Sequence, residues 1–328
     1  MPAQLSLEQR NLPKDAAERS RLLQRYFQRQ DVDARRTDQG WAVQTDWTAN
    51  AEYYIDPELS SGLDMWPTPL ATKSIPLAVQ QEKDFLLGLN DCWSLLGWSL
   101  KLAERPDTQR INLIHLDSHT DLGSPRVGLT ADSRWVDLLS GDAFDIGDPM
   151  SVANAIKSGA IGIGSFICPL IASGVEVDLY HLSPRQHFRY SPDRYSLALG
   201  LERNDPIFPS AIRPFLEVGR EECASNYVLT DKLAEICQAI DRRFPTFLHI
   251  DLDYFNNRFD GRPDWRGKQS RHDPSVTEVL DNIDKVFAEL KAREIPIADL
   301  CVGVSPGFFP AEYWHPALQQ IRKQAQGL

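Results

Sequence analysis

The chain has 328 residues, 42% of them hydrophobic, with 46 acidic against 35 basic side chains and a formal charge of −11. That suits one large α/β domain or two smaller ones with a substantial core; the acidic balance lacks the basic footprint that nucleic acid requires and fits a cationic small molecule or peptide better. Five widely spaced cysteines without a CxxC pair indicate neither a disulfide framework nor a thiolate zinc site and predict a reducing, cytoplasmic setting, and no apolar run approaches the roughly 20 residues of a membrane span.

In chain order, "NLPKDAAERSRLLQRYFQRQ" (11–30) predicts a helix with Asn11 as cap, Pro13 early, and Leu22, Leu23, Tyr26 and Phe27 on one stripe. "DVDARRTDQG" (31–40) reads as a linker and residues 50–76 as an irregular segment, a surface loop or a lid. Residues 1–80 are therefore expected to be an N-terminal helix and irregular extension packed on a main domain of residues 81–328. From there the pattern alternates. "DFLLGL" (84–89) precedes the helical "DCWSLLGWSLKLAE", and "INLIHL" (111–116) is followed after a loop by the helical "SRWVDLLS". "DPMSVANAIKSG" carries Asp148 as cap, Pro149 at the first helical position and Gly159 as stop, and leads into "AIGIGSF" as a strand, whose end puts Ser165 at an edge. "VEVDLYHL" (175–182), "TFLHIDL" (246–252) and "IADLCVGV" (297–304) are further strands, the last two bracketing a helix capped by Asp273. Residues 183–227 interrupt this rhythm, and His181, His187 and His272 fall in polar stretches that predict surface positions. Short apolar runs separated by helices argue a mostly parallel sheet with helices on both faces, a three-layer αβα architecture.

Two strand ends carry carboxylates. In "LIHLDSHTDLG" the i, i+2, i+4 spacing turns Asp117, His119 and Asp121 to one side as the chain leaves the sheet, and in "FLHIDLDYF" Asp251 and Asp253 repeat that spacing. Ligand crevices of open α/β sheets lie outside the carboxyl ends of the strands, where both clusters fall. Either cluster alone is also compatible with solvated loop aspartates or arginine pairs. Together, four carboxylates without a cation would repel and raise one another's pKa values, whereas two divalent ions would neutralise them. Oxygen ligands with one imidazole and no obvious thiolate favour Mn2+ over a structural zinc.

"DSHTD" (117–121) resembles the Asp-Ala-His-Thr-Asp signature of the arginase and agmatinase superfamily, and "HIDLD" (249–253) resembles its later Asp-x-Asp signature, with "VGVSPGFFP" (302–310) in the family's order of motifs. The resemblance spans roughly residues 84–320. It implies an arginase-like fold in which Asp117 and Asp251 bridge two Mn2+ ions, Asp121 completes one and His119 with Asp253 the other. It also implies guanidinium hydrolysis by a metal-bridging hydroxide, with Asp121 relaying a proton.

Three departures from the family pattern matter. At the strand end where free arginases supply a histidine ligand the chain has "LNDCWS", leaving Asp91 or Cys92; oxygen chemistry favours Asp91, which could equally be a helix cap. The glutamate that grips the guanidinium in free arginases aligns with Gly303; Glu312 lies nearby in "PAEYWHPALQQ", in a position that could simply serve a helix dipole. The histidine that follows the signature in free arginases has no counterpart. His249, two residues before Asp251 on the same strand face, could line the pocket as a catalytic group or be a hydrogen-bonded core histidine.

With the twin motifs kept and both recognition residues missing, the chain is most similar to the divergent peptide arginases of ribosomal peptide natural-product biosynthesis. These convert arginine side chains of a precursor peptide to ornithine and release urea. The alternatives are hydrolysis of a free small guanidine such as arginine or agmatine, a metal-dependent deacetylase, and a structural metal site beside a partner-binding N-terminal helix. The sequence leaves the oligomeric state open.

Overall fold

Nearly continuous apolar runs can be strands only if both faces of the sheet are covered, and the computed structural model, which describes residues 4–8, 11–27, 30–66, 68–184, 194–267 and 273–328, arranges them so. The chain opens with β1 (Gln4–Glu8), α1 (Ala16–Tyr26), β2 (Gln30–Thr37) and β3 (Gly40–Trp47), and the three strands form a separate antiparallel sheet in the order β1-β3-β2. The expected linker at 31–40 is therefore mostly strand. Val32 and Ala34 turn inward while Asp31, Asp33 and Arg35 face water, a period of two that the dense charge conceals. Asp15, not Asn11, caps α1, accepting from Glu18 N at 2.8 Å.

The described residues of 50–76 include short turns of helix, among them α2 (Leu59–Asp64). They are anchored rather than free to act as a lid: Tyr54, Leu59, Leu63 and Ile75 are buried, and Asp56 Oδ2 accepts from Ala311 N at 2.7 Å.

The rest of the chain supplies β4 (Val79–Gln81), β5 (Leu86–Gly88), α3 (Ser94–Glu104), β6 (Arg110–Leu116), β7 (Val127–Leu129), β8 (Trp135–Asp137), α4 (Pro149–Ser158), α5 (Ile167–Ala172), β9 (Glu176–Leu182), β10 (Arg194–Glu202), β11 (Arg213–Gly219), β12 (Ser225–Thr230), α6 (Leu233–Ala239), β13 (Thr246–Asp251), α7 (Val276–Ala292), β14 (Ile297–Gly303) and α8 (Trp314–Ala325). A nine-stranded sheet runs β11-β10-β12-β9-β6-β13-β14-β5-β4. The strands from β12 to β5 are parallel, and β10, β11 and β4 are antiparallel additions at its edges. Helices flank it. One apolar core joins the sheet to α3, α4, α5 and the N-terminal elements, through Leu23, Phe27, Val43, Trp98 and Ile156 among others. The other joins it to α2, α6, α7 and α8 through Leu63, Ile236, Phe287 and Trp314. The molecule is thus a mixed α/β protein with a large, mostly parallel central sheet.

Three local expectations are corrected. "SRWVDLLS" is not a helix: Trp135–Asp137 pair with Val127–Leu129 as a hairpin, and the buried Asp137 accepts from Leu139 N and Ser140 N to hold the turn that follows. "AIGIGSF" is not a strand but a loop, tied by reciprocal bonds between Gly162 and Ser165 and by Gly123 N donating to Gly164 O at 2.8 Å. The α7 cap is Ser275, in a capping box with Glu278, while Asp273 instead receives Asn256 and Arg258. The interruption at 183–227 extends the sheet through β10, β11 and β12; residues 185–193, with His187, and residues 268–272, with His272, lie outside the described residues. Among the described residues no helix is long and apolar enough to cross a membrane. None of the five cysteines forms a disulfide.

Candidate metal centre

The strand order β6-β13-β14-β5 sets four carboxyl ends side by side. Asp117 and its loop leave β6, Asp251 and Asp253 leave β13, Ser305 follows β14 and Asp91 follows β5. Topology alone thus collects side chains separated by more than two hundred positions in sequence. Two backbone features hold them there. Asp121 has φ +51, a left-handed conformation that costs a non-glycine residue about 1–3 kcal/mol and persists where the surroundings enforce it. Gly303 packs so closely on Asp91 that a Cβ would lie 2.8 Å from Asp91 Cα and 2.9 Å from its Cβ.

The ligand-type atoms form three groups with Asp117 in common, each with its atoms within 4.8 Å of one another: Asp91, Asp117 and Asp121 on one side of the cavity, Asp117, His119 and Asp253 on the other, and His115, Asp117 and His249 beneath them. His119 Nδ1 stands 2.9 Å from Asp253 Oδ2 and 3.4 Å from Asp117 Oδ1, and its Nε2 is 3.5 Å from Asp260 Oδ1. Asp251 lines the same cavity but turns its oxygens to protein donors, Ser305 Oγ at 2.5 Å and Asp253 N at 3.0 Å. Ser118 clamps the two strand ends together: its N–H donates to Asp253 Oδ1 and its hydroxyl to Asp253 O, both at 3.0 Å.

The electrostatics are unfavourable without a cation. Burial, with Asp253, Asp251 and Asp91 alongside, pushes the Asp117 carboxyl well above the usual carboxylate range. Burial with Asp117 and Asp91 does the same to Asp121, and burial with Asp253 and Asp91 to Asp251. For His119 burial pulls downward, but Asp253 and Asp260 outweigh it and hold the imidazole protonated up to about 11. Asp117 Oδ2 and Asp121 Oδ2 are sealed from solvent and accept no hydrogen bond from a described residue. Orphaned buried oxygens are rare in folded proteins. Carboxylate oxygens joined by one imidazole are ligand types for hard divalent ions, so the residues present could hold a metal ion.

Beneath this layer lies one the sequence reading missed. His115, buried and two residues before Asp117, stacks on His249 across the β6–β13 register at 4.8 Å. Its Nε2–H donates to His119 O at 3.3 Å, so its Nδ1 accepts from His249 Nδ1–H at 2.7 Å. His181 is the correction to a surface expectation: it is fully buried, donates from Nε2 to Asp117 O at 3.0 Å and accepts at Nδ1 from Tyr227 OH at 2.9 Å. Burial lowers all three imidazoles, His249 to about 3 and His181 to about 4, so they stay neutral. His249 thus occupies the supporting layer and does not line the cavity. The i, i+2 continuation from His115 to Asp117 was the available signal for this layer.

Five of the expected ligands, Asp91, His119, Asp121, Asp251 and Asp253, line a cavity of ≈ 550 Å3, and Asp117 lies buried behind it. Phe308, not anticipated, closes one wall with its ring edge-on to His119, 5.1 Å between centroids. Glu312 is not brought there: it pairs with Arg258, which also holds Asp273, as the acidic residue of a helical first turn. Cys92 is buried in the core beside the cavity, and Asp91, while bonding Cys92 N at 2.7 Å, also faces the metal group.

Two tests follow from this packing. Gly303→Ala is expected to displace Asp91, costing roughly 1–3 kcal/mol as overpacking and weakening manganese binding in a calorimetric titration; unchanged binding would separate Gly303 from the site. Asp260→Asn is expected to lower metal affinity about 10- to 100-fold by loosening His119, as loss of an outer carboxylate does; unchanged affinity would show that Asp260 does not orient the ring.

Neither protein-family models nor curated proteins yield a match to this chain.

Proposed function

We propose that the protein is a manganese-dependent hydrolase that converts arginine side chains of a peptide to ornithine with release of urea. The observation that carries this reading is the pair of three-residue ligand groups on the two sides of the cavity that share the buried Asp117. The motifs "DSHTD" and "HIDLD", similar to those of arginases, supply this constellation. Asp117, Asp121 and Asp91 would hold one ion, Asp117, His119 and Asp253 the other, with Asp251 available from the cavity wall. When bound, the ions supply an activated water at neutral pH and positive charge to balance the carboxylates.

The protein's own groups do the rest. Surplus negative charge at the cavity draws in a guanidinium cation, and Phe308 adds an aromatic side chain to the wall. Hydrolysis adds the oxygen of one water to the guanidinium carbon and breaks its bond to the side-chain nitrogen. Both water protons end on the departing amine. The Asp121 carboxyl, which lines the cavity, is placed to accept one of them and return it to that nitrogen. His181 below helps fix Asp117 by donating to its carbonyl, and none of the three neutral imidazoles adds positive charge.

Two features support a peptide over free arginine. Gly303 occupies the position where a guanidinium-gripping glutamate would stand and has no room for any side chain. The cavity also opens beside a second one, sharing Gly123, Ile163 and Gly164 with it, rather than ending in a closed amino-acid pocket. Manganese-loaded protein should release urea from an arginine-containing peptide and leave a product lighter by one cyanamide equivalent per arginine. Urea from free arginine or agmatine alone would assign it to small-molecule substrates, and none from any guanidine would refute the reading.

A further inference from the structure

The second cavity, ≈ 590 Å3, is walled on one side by the N-terminal elements, through Leu22, Arg25 and Tyr26 of α1, Gln30 of β2 and Trp47 of β3. Its charge is opposite to that of the metal cavity. Among the described residues Arg25, Arg126 and Arg213 line it and no aspartate or glutamate does, in a chain whose net charge is −11. The nearest compensation is Asp205, buried behind the wall, which accepts from Arg213 Nη1 and from Tyr26 OH, both at 2.9 Å.

The arginines divide the work. Arg213 is held at each of its three nitrogens, Nε and Nη2 donating to Pro125 O and Ser124 O at 2.8 and 2.9 Å. Arg126 lies over the Tyr26 ring at 4.6 Å and donates to the carbonyls of Gly159 and Tyr26, with no carboxylate within ion-pair distance among the described residues. A cation so placed without a counter-charge leaves a positive field that an anion would relieve. Arg25, exposed on the last turn of α1, has no ion-pair partner among the described residues and is the group free to meet a ligand.

Resting on the reading of the metal cavity as a guanidinium site, we propose that this second cavity binds an acidic side chain of the same peptide, close in sequence to the target arginine. The ends match: cation to the carboxylate cavity, anion to the arginine cavity. Arg126 is five residues beyond Asp121, so their Cα atoms are at most about 18 Å apart, a span of a few residues of extended peptide. Each cavity alone has the size of a pocket for a drug-sized ligand, so filling both calls for a peptide segment. Gly162 offers a steric handle, since a Cβ there meets nothing within 4 Å.

Manganese-loaded protein is titrated with fluorescent peptides in which lysine replaces the target arginine, so that no urea forms, flanked by two glutamates or by two glutamines. The glutamate probe should bind about tenfold more tightly, a difference of ~1.4 kcal/mol. Arg25→Gln should remove that preference, Arg25→Glu reverse it, and Gly162→Phe weaken the glutamate probe by filling the cavity, all with unchanged thermal unfolding. Equal affinity for the two probes, or a preference that survives Arg25→Glu, overturns the proposal. Free arginine that displaces the glutamate probe from the wild type but not from Arg25→Gln also overturns it, because the anion would then be an amino-acid carboxylate. The two readings fail separately. Urea from both arginine-bearing counterparts with equal KM overturns the acidic subsite and keeps the hydrolase, whereas probe preference without urea from either keeps the subsite and overturns the hydrolase.

Discussion

Asp117→Asn is expected to remove both metal ions, abolish urea release and at the same time make the metal-free protein more stable. Asp117 belongs to all three of the three-residue groups, so neutralising it takes the shared negative charge from each. The asparagine amide would retain the acceptor that His119 N uses at 2.5 Å and add a donor facing Asp121 Oδ2, which now has none. Relief of a buried, unsatisfied carboxylate is worth roughly 1–3 kcal/mol or more. Metal analysis should fall from two ions per chain towards none, and the melting temperature without metal should rise. A variant that keeps two ions, or that unfolds earlier without metal, would sink the two-ion arrangement. The rise in metal-free stability is the discriminating result, because a merely structural aspartate would lose stability on replacement.

The strand ends that make this site were legible because apolar runs and i, i+2 carboxylates depend only on local alternation. Asp117, Asp121, Asp251 and Asp253 fall where alternation and the crevice rule put them. Asp91 was picked out by ligand chemistry alone; it faces the cavity and accepts from Cys92 N, and it caps neither of the helical segments that follow β5. What alternation could not reveal was partnership across the sheet. His115 reaches His249 only because β6 and β13 are neighbours in parallel register, and Ser305 reaches Asp251 only because β14 is next to β13. Glu312 was drawn in by proximity in sequence, yet the turn before α8 points it at Arg258. The N-terminal sheet was hidden for a different reason. β2 is half-exposed, so its charged residues dominate the composition while only Val32 and Ala34 mark the inward face.

The second large effect is a gap in stability between metal-loaded and metal-free protein that widens as pH rises. Asp117, Asp121 and Asp251 have folded pKa values raised by burial above the ordinary carboxylate value, and His119 is raised to about 11, so the metal-free folded state holds protons that the unfolded chain has released. For such groups stability falls as pH climbs from the unfolded towards the folded pKa. The lowered His115, His181 and His249 act in the opposite sense, but only below about 6.5, where the unfolded imidazoles titrate. Above that value their contribution is constant, while His119, raised to about 11, still holds a proton that the unfolded chain has released. That proton costs less than about 1.4 kcal/mol per pH unit, because the ring is 32% exposed and screened by solvent. A metal ion replaces it, since ligands bind deprotonated, and at free metal one hundred times Kd each ion adds about 2.7 kcal/mol. Thermal unfolding from pH 6.5 to 8.5 at fixed free manganese should therefore show the metal-free curve falling and the loaded one nearly level. Parallel curves would mean that His119 is not exchanging its proton for a cation, and the cluster would then have to be stabilised by something other than metal.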